Sequence, residues 1–372
     1  MRIAQIVTYL SPDGAFGGPT RVAEAQCAAL AAAGHDVTLW AAAPLPGATH
    51  DAVDGYERRL FPARRCFDSL GFAGMRAVGL TTALKADAAA IDAAHVHLAR
   101  DLVTLPAAAM LLRAGVPLFV QTHGMIDRSS NPLSVPIDAM YTRPILRSAR
   151  AVYTLTGRED RDVSSVEPQA TLKRIRNGVV IPLSAATPPA REDTVLFMAR
   201  LHERKRPVAF IEMAAILSAE FPDLRYVLAG PDEGELAAVQ SAASRSGLGD
   251  RLSIVGAVSP SETDEFLANA RVFVLPSVGE VFPMTVLEAF RAETPVVVTE
   301  SLGIAEMCLQ YGAAAVTNGS PEGLAAAVAG LLRDEDRARA MVAGAKTYLH
   351  AELNIAVVAE SLSADYAGAA DG

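Results

Sequence analysis

The chain has 372 residues, 51% of them hydrophobic and 20% charged, with a formal net charge of −9. That length suits two domains, and the apolar fraction supports a sizeable core and excludes global disorder. The negative balance excludes a protein that coats nucleic acid, which needs a broad basic surface.

Short β-rich apolar runs alternate with Ala/Leu-rich stretches along the whole chain, the signature of parallel sheets covered by helices. The opening stretch, residues 1–10, is charged at Arg2 and its apolar run is too short for a signal peptide, so residues 3–9 read as a strand. Asp13-Gly-Ala-Phe-Gly-Gly18 follows. Its glycines permit close backbone approach to a phosphate or sugar, but it is no GxGxxG fingerprint and equally reads as a flexible turn. Residues 20–33 form an amphipathic helix that Gly34 stops.

Further strands are expected at residues 36–41, 93–97, 117–122 and 151–154. Arg58, Arg59, Arg64 and Arg65 interleave with Tyr56, Phe61 and Phe67; a solvated loop with core aromatics is preferred there over a patch for anionic lipid or a phosphorylated acceptor. Arg143, Arg147 and Arg150 have helical spacing and extend that option. The tract 102–120 is broken by Pro106, Arg113, Gly115 and Pro117, so it reads as helix then strand, not a membrane span. Glu159-Asp-Arg-Asp162 contains a formal Asp-x-Asp, but Thr156 and Gly157 introduce it as a helix start, where acids suit the dipole.

A composition shift at residues 177–193, with Pro182, Pro188 and Pro189, marks the linker. The pattern then restarts, with strands expected at residues 194–199, 225–229, 251–255, 272–275, 295–299 and 313–317. No fixed-period repeat is present. Cys27, Cys66 and Cys308, odd in number and without metal-ligand spacing, read as free thiols of a reducing compartment. Two doubly wound domains facing a cleft would place ligands at the carboxyl ends of their strands.

Four segments occupy such ends. The glycine turn is one. Gln121-Thr-His-Gly124 is the second, beside Asp92-Ala-Ala-His-Val-His97; a histidine there can bond a ligand hydroxyl or phosphate, whereas a zinc pair of His95 and His97 is the weaker reading. The third is Met198-Ala-Arg-Leu-His-Glu-Arg-Lys205-Arg206, in which Arg200 and Lys205 can neutralise a diphosphate while Arg204 and Arg206 are ordinary basic turn residues. In the fourth, Glu280 and Glu288 bracket a helix N-terminus, itself an anion site, so they suit hydroxyl groups beside a phosphate.

Together these segments resemble the retaining glycosyltransferases of family 4, of GT-B fold. The resemblance extends to Arg176-Asn-Gly-Val179, Leu228-Ala-Gly-Pro, Val274-Leu-Pro-Ser277 and Leu287-Glu-Ala-Phe. It implies an α/β protein with an acceptor-binding Rossmann-like domain at 1–180, a linker at 181–193, a donor-binding Rossmann-like domain at 194–350, and a C-terminal helix, 351–372, packing back on the first domain. It implies a retaining transfer of a sugar from a UDP- or GDP-linked donor to a hydroxyl acceptor, metal-independent and without cofactor.

In that reading Arg200 and Lys205 hold the diphosphate and Glu280 bonds the transferred sugar. Glu288 bonds the ribose, while Phe282, Pro283, Met284 and Thr285 form the sugar and phosphate wall. Gly17 and Gly18 approach the donor, Gly256 and Val258 flank the base, and His123 contacts the reacting sugar. His97 and Glu159 are candidates for acceptor binding. The phosphate that leaves accepts the acceptor's proton, so neither glutamate is a nucleophile, unlike the carboxylates of ordinary glycosidases.

Pro283 departs from the family, which commonly has glycine there; proline suits a first helical turn but removes a donor from the anion site. Arg291 stands where relatives have a small residue, and Glu293 where glycine is common. The acceptor is a small molecule or a lipid-linked glycan, nucleic acid is not a partner, and the setting is cytoplasmic, with peripheral contact at the inner membrane face left open. A nucleotide-sugar epimerase or hydrolase of the same architecture is the alternative, and a catalytically inert sensor a third. No nucleophile elbow supports other hydrolase chemistry.

Overall fold

A computed structural model of the chain describes residues 1–11, 17–67, 73–129, 131–181 and 191–370. The glycine turn before Gly17 and most of the expected linker lie outside the described residues. The chain divides into two units, Met1–Val180 with Asn354–Gly372, and Ile181–Leu353.

In the first unit the strands are β1 (Arg2–Tyr9), β2 (Asp36–Ala43), β3 (Thr49–Val53), β4 (Tyr56–Arg65), β5 (Met75–Ala77), β6 (Ala93–His97), β7 (Leu118–Gln121), β8 (Ala151–Thr154) and β9 (Leu172–Arg174). They pair in the order β3-β4-β2-β1-β6-β7-β8-β9, with β5 on β4. Only the pairs with β3 and β5 are antiparallel. Ile6, Val96, Leu118, Val120 and Val152 fill the centre of the core, where a strand covered on both faces must be apolar throughout.

The second unit holds β10 (Thr194–Met198), β11 (Arg225–Ala229), β12 (Leu252–Gly256), β13 (Val272–Leu275), β14 (Val296–Thr299) and β15 (Ala315–Thr317). They are ordered β12-β11-β10-β13-β14-β15, parallel throughout. In both sheets the order reverses beside the first strand, between β1 and β6 and between β10 and β13. Crevices at the carboxyl ends of such strand pairs are where doubly wound sheets bind ligands.

The arginine-rich segment is not the expected loop. Arg58 and Arg59 lie on β4, paired to β3 through a tight turn in which Asp54 and Gly55 have φ of 48° and 83°. Successive left-handed residues match the twist of a two-residue hairpin. Arg58 donates to both Asp51 oxygens at 2.9 and 2.5 Å, and Arg59 pairs with Asp87 while its guanidinium carbon lies 4.8 Å from the Trp40 ring centroid. Arginine stems and cross-strand pairs thus serve an edge strand whose charges remain wet.

The helix Gly17–Ala32 starts earlier than expected, at the glycine pair itself, and Gly34 follows it at φ 89°. The last helix, Ile355–Ala370, packs against it. This contact joins the unit's two chain segments: His35 Nε2 and Ser363 Oγ lie 3.0 Å apart. Gly178 permits the approach, because a Cβ there would stand 2.6 Å from the Ile355 Cα.

Candidate active site

Beyond β10 the chain continues through Ala199 and Arg200 to Leu201, whose N–H donates to the Pro231 carbonyl at 2.8 Å. The ends of β10 and β11 come together only because residue 230 is glycine. Its φ is 147°, and a Cβ would fall 1.8 Å from the Ala199 carbonyl oxygen. Gly230 N–H in turn donates to the Gly256 carbonyl at 2.6 Å, and Gly256 has φ 82°. Val258, two residues on, is half-buried. Arg200 Nη1 donates to both carboxylate oxygens of Glu233, at 2.7 and 2.8 Å, with its side chain half exposed.

Lys205 closes a short 3-10 turn, Glu203–Lys205, capped by His202, whose Nδ1 accepts from the Arg204 N–H at 3.1 Å. Its ammonium forms an ion pair with Glu280 Oε1, and both side chains are largely buried. The other Glu280 oxygen, Oε2, is buried and meets no donor among the described residues. An unmatched carboxylate oxygen is costly, so it marks a position ready for hydroxyl or amide donors. The loop bearing Glu280 is pinned on two sides. Arg204 Nη2 donates to the Gly279 carbonyl at 2.6 Å, and Gly303 N–H donates to the Glu280 carbonyl at 2.8 Å.

The helix after this loop is Met284–Arg291. Pro283 precedes it as the N-cap residue instead of lying in its first turn, and the Pro283 carbonyl accepts from Val286 N–H at 3.1 Å. The Val286 N–H is therefore already used, and Met284 and Thr285 hold the first two N–H groups of the helix. Phe282 and Pro283 are buried, and Glu288 is half-buried on the second turn. Past the helix end Glu293 adopts φ 61°, the left-handed conformation that makes glycine common there, and its carboxylate meets Lys346 Nζ at 2.6 Å. Arg291 pairs with Asp264.

In the first unit His123 follows β7 with φ 50°. Its backbone is fixed by Glu159, fully buried, which accepts from the Thr122 hydroxyl at 2.5 Å and from the N–H groups of Gly124 and Leu155 at 2.6 Å. Burial raises the Glu159 pKa, and these three donors oppose the shift. Glu159 thus shapes the turn from inside. Thr156 caps the helix Gly157–Val166 as expected, accepting from Glu159 N–H at 3.3 Å, while Asp160 binds the Thr154 hydroxyl and Arg174.

The His123 and His97 rings meet edge to edge, 16° from parallel with centroids 5.0 Å apart, and His97 stacks on His95 with centroids 4.8 Å apart. His97 Nδ1 lies 2.7 Å from His123 Nε2, and His97 Nε2 lies 2.7 Å from Gln5 Oε1. Both His97 nitrogens are therefore occupied, and the residue is 1% exposed. His95 Nδ1 meets the Tyr366 hydroxyl at 2.6 Å, so the pair is built as hydrogen-bonded core and not as the weaker zinc reading. Burial pushes His95 and His123 down to about 3 and His97 well below its usual value, so all three rings are neutral at pH 7.

Gln5, Gln26 and Glu233 were not singled out from the sequence, and Asn177 entered only within the Arg176–Val179 segment. Two histidines on one face of a short strand that is otherwise apolar were the available signal, since buried imidazoles need partners.

No helix among the described residues is long and apolar enough to cross a membrane. Residues 184–348 match the family model described as glycosyl transferases group 1, and residues 17–178 match that of the glycosyl transferase 4-like domain. The chain is 31% identical over 167 residues to a D-inositol 3-phosphate glycosyltransferase of Thermobispora bispora, a match covering 42% of this chain and 39% of that relative. It is 26% identical over 276 residues to an alpha-D-kanosaminyltransferase of Streptomyces kanamyceticus, covering 68% and 70%. The chain thus spans about two fifths of the first of these relatives. Anabaena HepE in complex with UDP-glucose superposes with a TM-score of 0.76 at 16% identity, covering 99% of this chain and all of that one, which establishes the shared two-domain α/β fold.

Proposed function

The chain belongs to the group 1 glycosyl transferases, and from that premise we propose that it moves a sugar from a nucleotide-diphosphate donor, UDP- or GDP-linked, to a hydroxyl of a small or lipid-linked acceptor, with retention. The observation that carries the reading is the Lys205–Glu280 pair, with one Glu280 oxygen unmatched, just before the helix Met284–Arg291. A cation, a hydroxyl acceptor and free N–H donors are the groups a sugar diphosphate needs on its two sides.

In this reading Lys205 and Arg200 offset the charge that grows on the diphosphate as the sugar–phosphate bond breaks. Glu280 Oε2 accepts from sugar hydroxyls, Glu288 from the ribose, and the Met284 and Thr285 N–H groups face phosphate oxygen. Gly256 and Val258 border the base, and the family resemblance assigns Gly17, Gly18 and His123 to the donor as well. The acceptor oxygen bonds to the anomeric carbon on the face that the phosphate leaves, and the departing phosphate oxygen takes its proton. No metal ion is required for that balance. The name of the first relative gives D-inositol 3-phosphate as a precedent for a small polyol.

The test is a panel of nucleotide sugars with and without polyol, aminoglycoside-like and lipid-linked acceptors. Nucleotide release that depends on the acceptor, with an α-linked product from an α-linked donor, is the expected result. Epimerised or hydrolysed donor without transfer would overturn it.

A further inference from the structure

The first unit buries a continuous line of side chains that runs from Asn177, after β9, through Gln121 on β7, Gln26 on the helix Gly17–Ala32, Gln5 on β1 and His97 on β6 to His123, just past β7. Asn177 Oδ1 accepts from Gln121 Nε2 at 3.0 Å, Gln121 Oε1 from Gln26 Nε2 at 3.0 Å, and Gln26 Oε1 from Gln5 Nε2 at 3.4 Å. Gln5 Oε1 then faces His97 Nε2, and His97 Nδ1 faces His123 Nε2. Gln5, Gln26 and Gln121 are fully buried, and Asn177 is 3% exposed.

This line has one direction. The placement of the amides sets it: Gln121, Gln26 and Gln5 each turn the NH2 toward the Asn177 end and the carbonyl oxygen toward the His97 end. Gln5 spends its NH2 on Gln26, so its oxygen can only accept from His97, and His97 must carry its proton on Nε2. His97 Nδ1 is then a bare lone pair, and His123 must donate to it from Nε2–H. His123 Nδ1 is left as a bare acceptor on a part-exposed ring.

We propose that Gln5, Gln26, Gln121, Asn177 and His97 are positioning residues that fix His123 in the Nε2–H tautomer, so that its Nδ1 accepts a hydrogen bond from a hydroxyl of the transferred sugar. The proposal rests on the glycosyl-transfer reading for its substrate, but the relay itself does not. A neutral ring offering a lone pair selects a hydroxyl and repels a phosphate oxygen, which settles between the two ligand groups that a histidine at this strand end can bind. The strained backbone of His123, clamped through Thr122 and Gly124 by Glu159, holds the ring in register with His97. His95 stacks behind His97 with an interplanar angle of 3° and keeps that ring from turning.

Two measurements test it. Two-bond 15N–1H NMR of the ligand-free full chain should show His97 and His123 both protonated on Nε2. A proton on His123 Nδ1 overturns the proposal, whatever the activity. In Gln5→Met the acceptor of His97 is gone, and His123 should shift toward mixed tautomers; unchanged tautomers overturn the relay. With the active donor and its monodeoxy analogues, the wild type should discriminate against one analogue by roughly tenfold in kcat/KM. Gln5→Met and His123→Ala should lose that discrimination, and His97→Asn, whose amide oxygen can still accept from His123, should retain it. A Gln5→Met enzyme that loses rate equally on every donor has suffered general damage and overturns the positioning role. If no donor turns over in any variant, the transfer reading fails while the NMR result still judges the relay.

Discussion

Among the described residues, the fully buried polar side chains of the second unit are all hydroxyls: Thr194, Thr263, Ser277, Thr294 and Thr299. The first unit buries amides, imidazoles and carboxylates, among them Gln5, Gln26, His95, His97, Asp101, Gln121, Glu159 and Asn177. Both sheets have the same order of strands about their first strand. The second carries its chemistry on loops past the strand ends, over an apolar core. In the first, His123 also stands past a strand end, but the polar side chains behind it, Gln5, His95, His97 and Gln121, lie on the strands themselves. Loop chemistry can be altered without disturbing the core, whereas a network inside a sheet couples function to stability.

The largest effect expected from this contrast is on turnover. Lys205→Ala should lower kcat by about a thousandfold, the scale of losing an electrostatic contact to developing charge. Its unfolding free energy should fall by no more than about 2 kcal/mol, because the pair lies at the edge of the core. Nucleotide-release kinetics beside a urea titration would show this, and a collapse of stability would erase the distinction between loops and core.

Gly230→Ala asks the opposite question of the same unit. A Cβ 1.8 Å from the Ala199 carbonyl must push β10 and β11 apart. A loss of about 4 kcal/mol or more is expected, on the scale of severe backbone disruption. Chemical denaturation would reveal a mild change if the strand ends were free to part.

Acid should separate the units. The folded pKa of His95 and His123 is lowered to about 3 from 6.5, so the unfolded chain takes up protons first as pH falls. Their contribution is fully present above pH 6.5 and is lost toward pH 3, at up to about 1.4 kcal/mol per pH unit for each histidine. The single tryptophan, Trp40, is buried in the first unit and reports on it alone. Its fluorescence transition should occur at a higher pH than the loss of amide protection in β10–β14. Coincident transitions would contradict the contrast.

The smallest effect is at Glu293. Glycine there relieves a left-handed residue but removes the contact to Lys346. Glu293→Gly should stabilise the second unit by about 0.5 kcal/mol, with the Trp40 transition unmoved.

The parallel architecture was legible because strands such as Val272–Leu275 and Val296–Thr299 are short, largely apolar and bounded by turns or helical stretches. The hairpin of β3 and β4 was missed because its arginines masked the alternation, although Asp54-Gly55 is itself a hairpin signal. At the candidate site, Arg200, Lys205, Glu280 and His123 could be found because they stand just past strand ends. Glu233, Gln5 and Gln26 could not. Gln5 meets Gln26 and His97 through topology alone, and local periodicity does not encode a contact across 92 positions.

The helix Ile355–Ala370 completes the first unit after the whole of the second has been written into the chain. The second unit is thus an insertion within the first. On the ribosome its sheet can close while the first still lacks Asp365 and Tyr366, the partners of Tyr153 and His95. The half that begins the chain is the last to become whole, and until then its buried amides and imidazoles have an open flank.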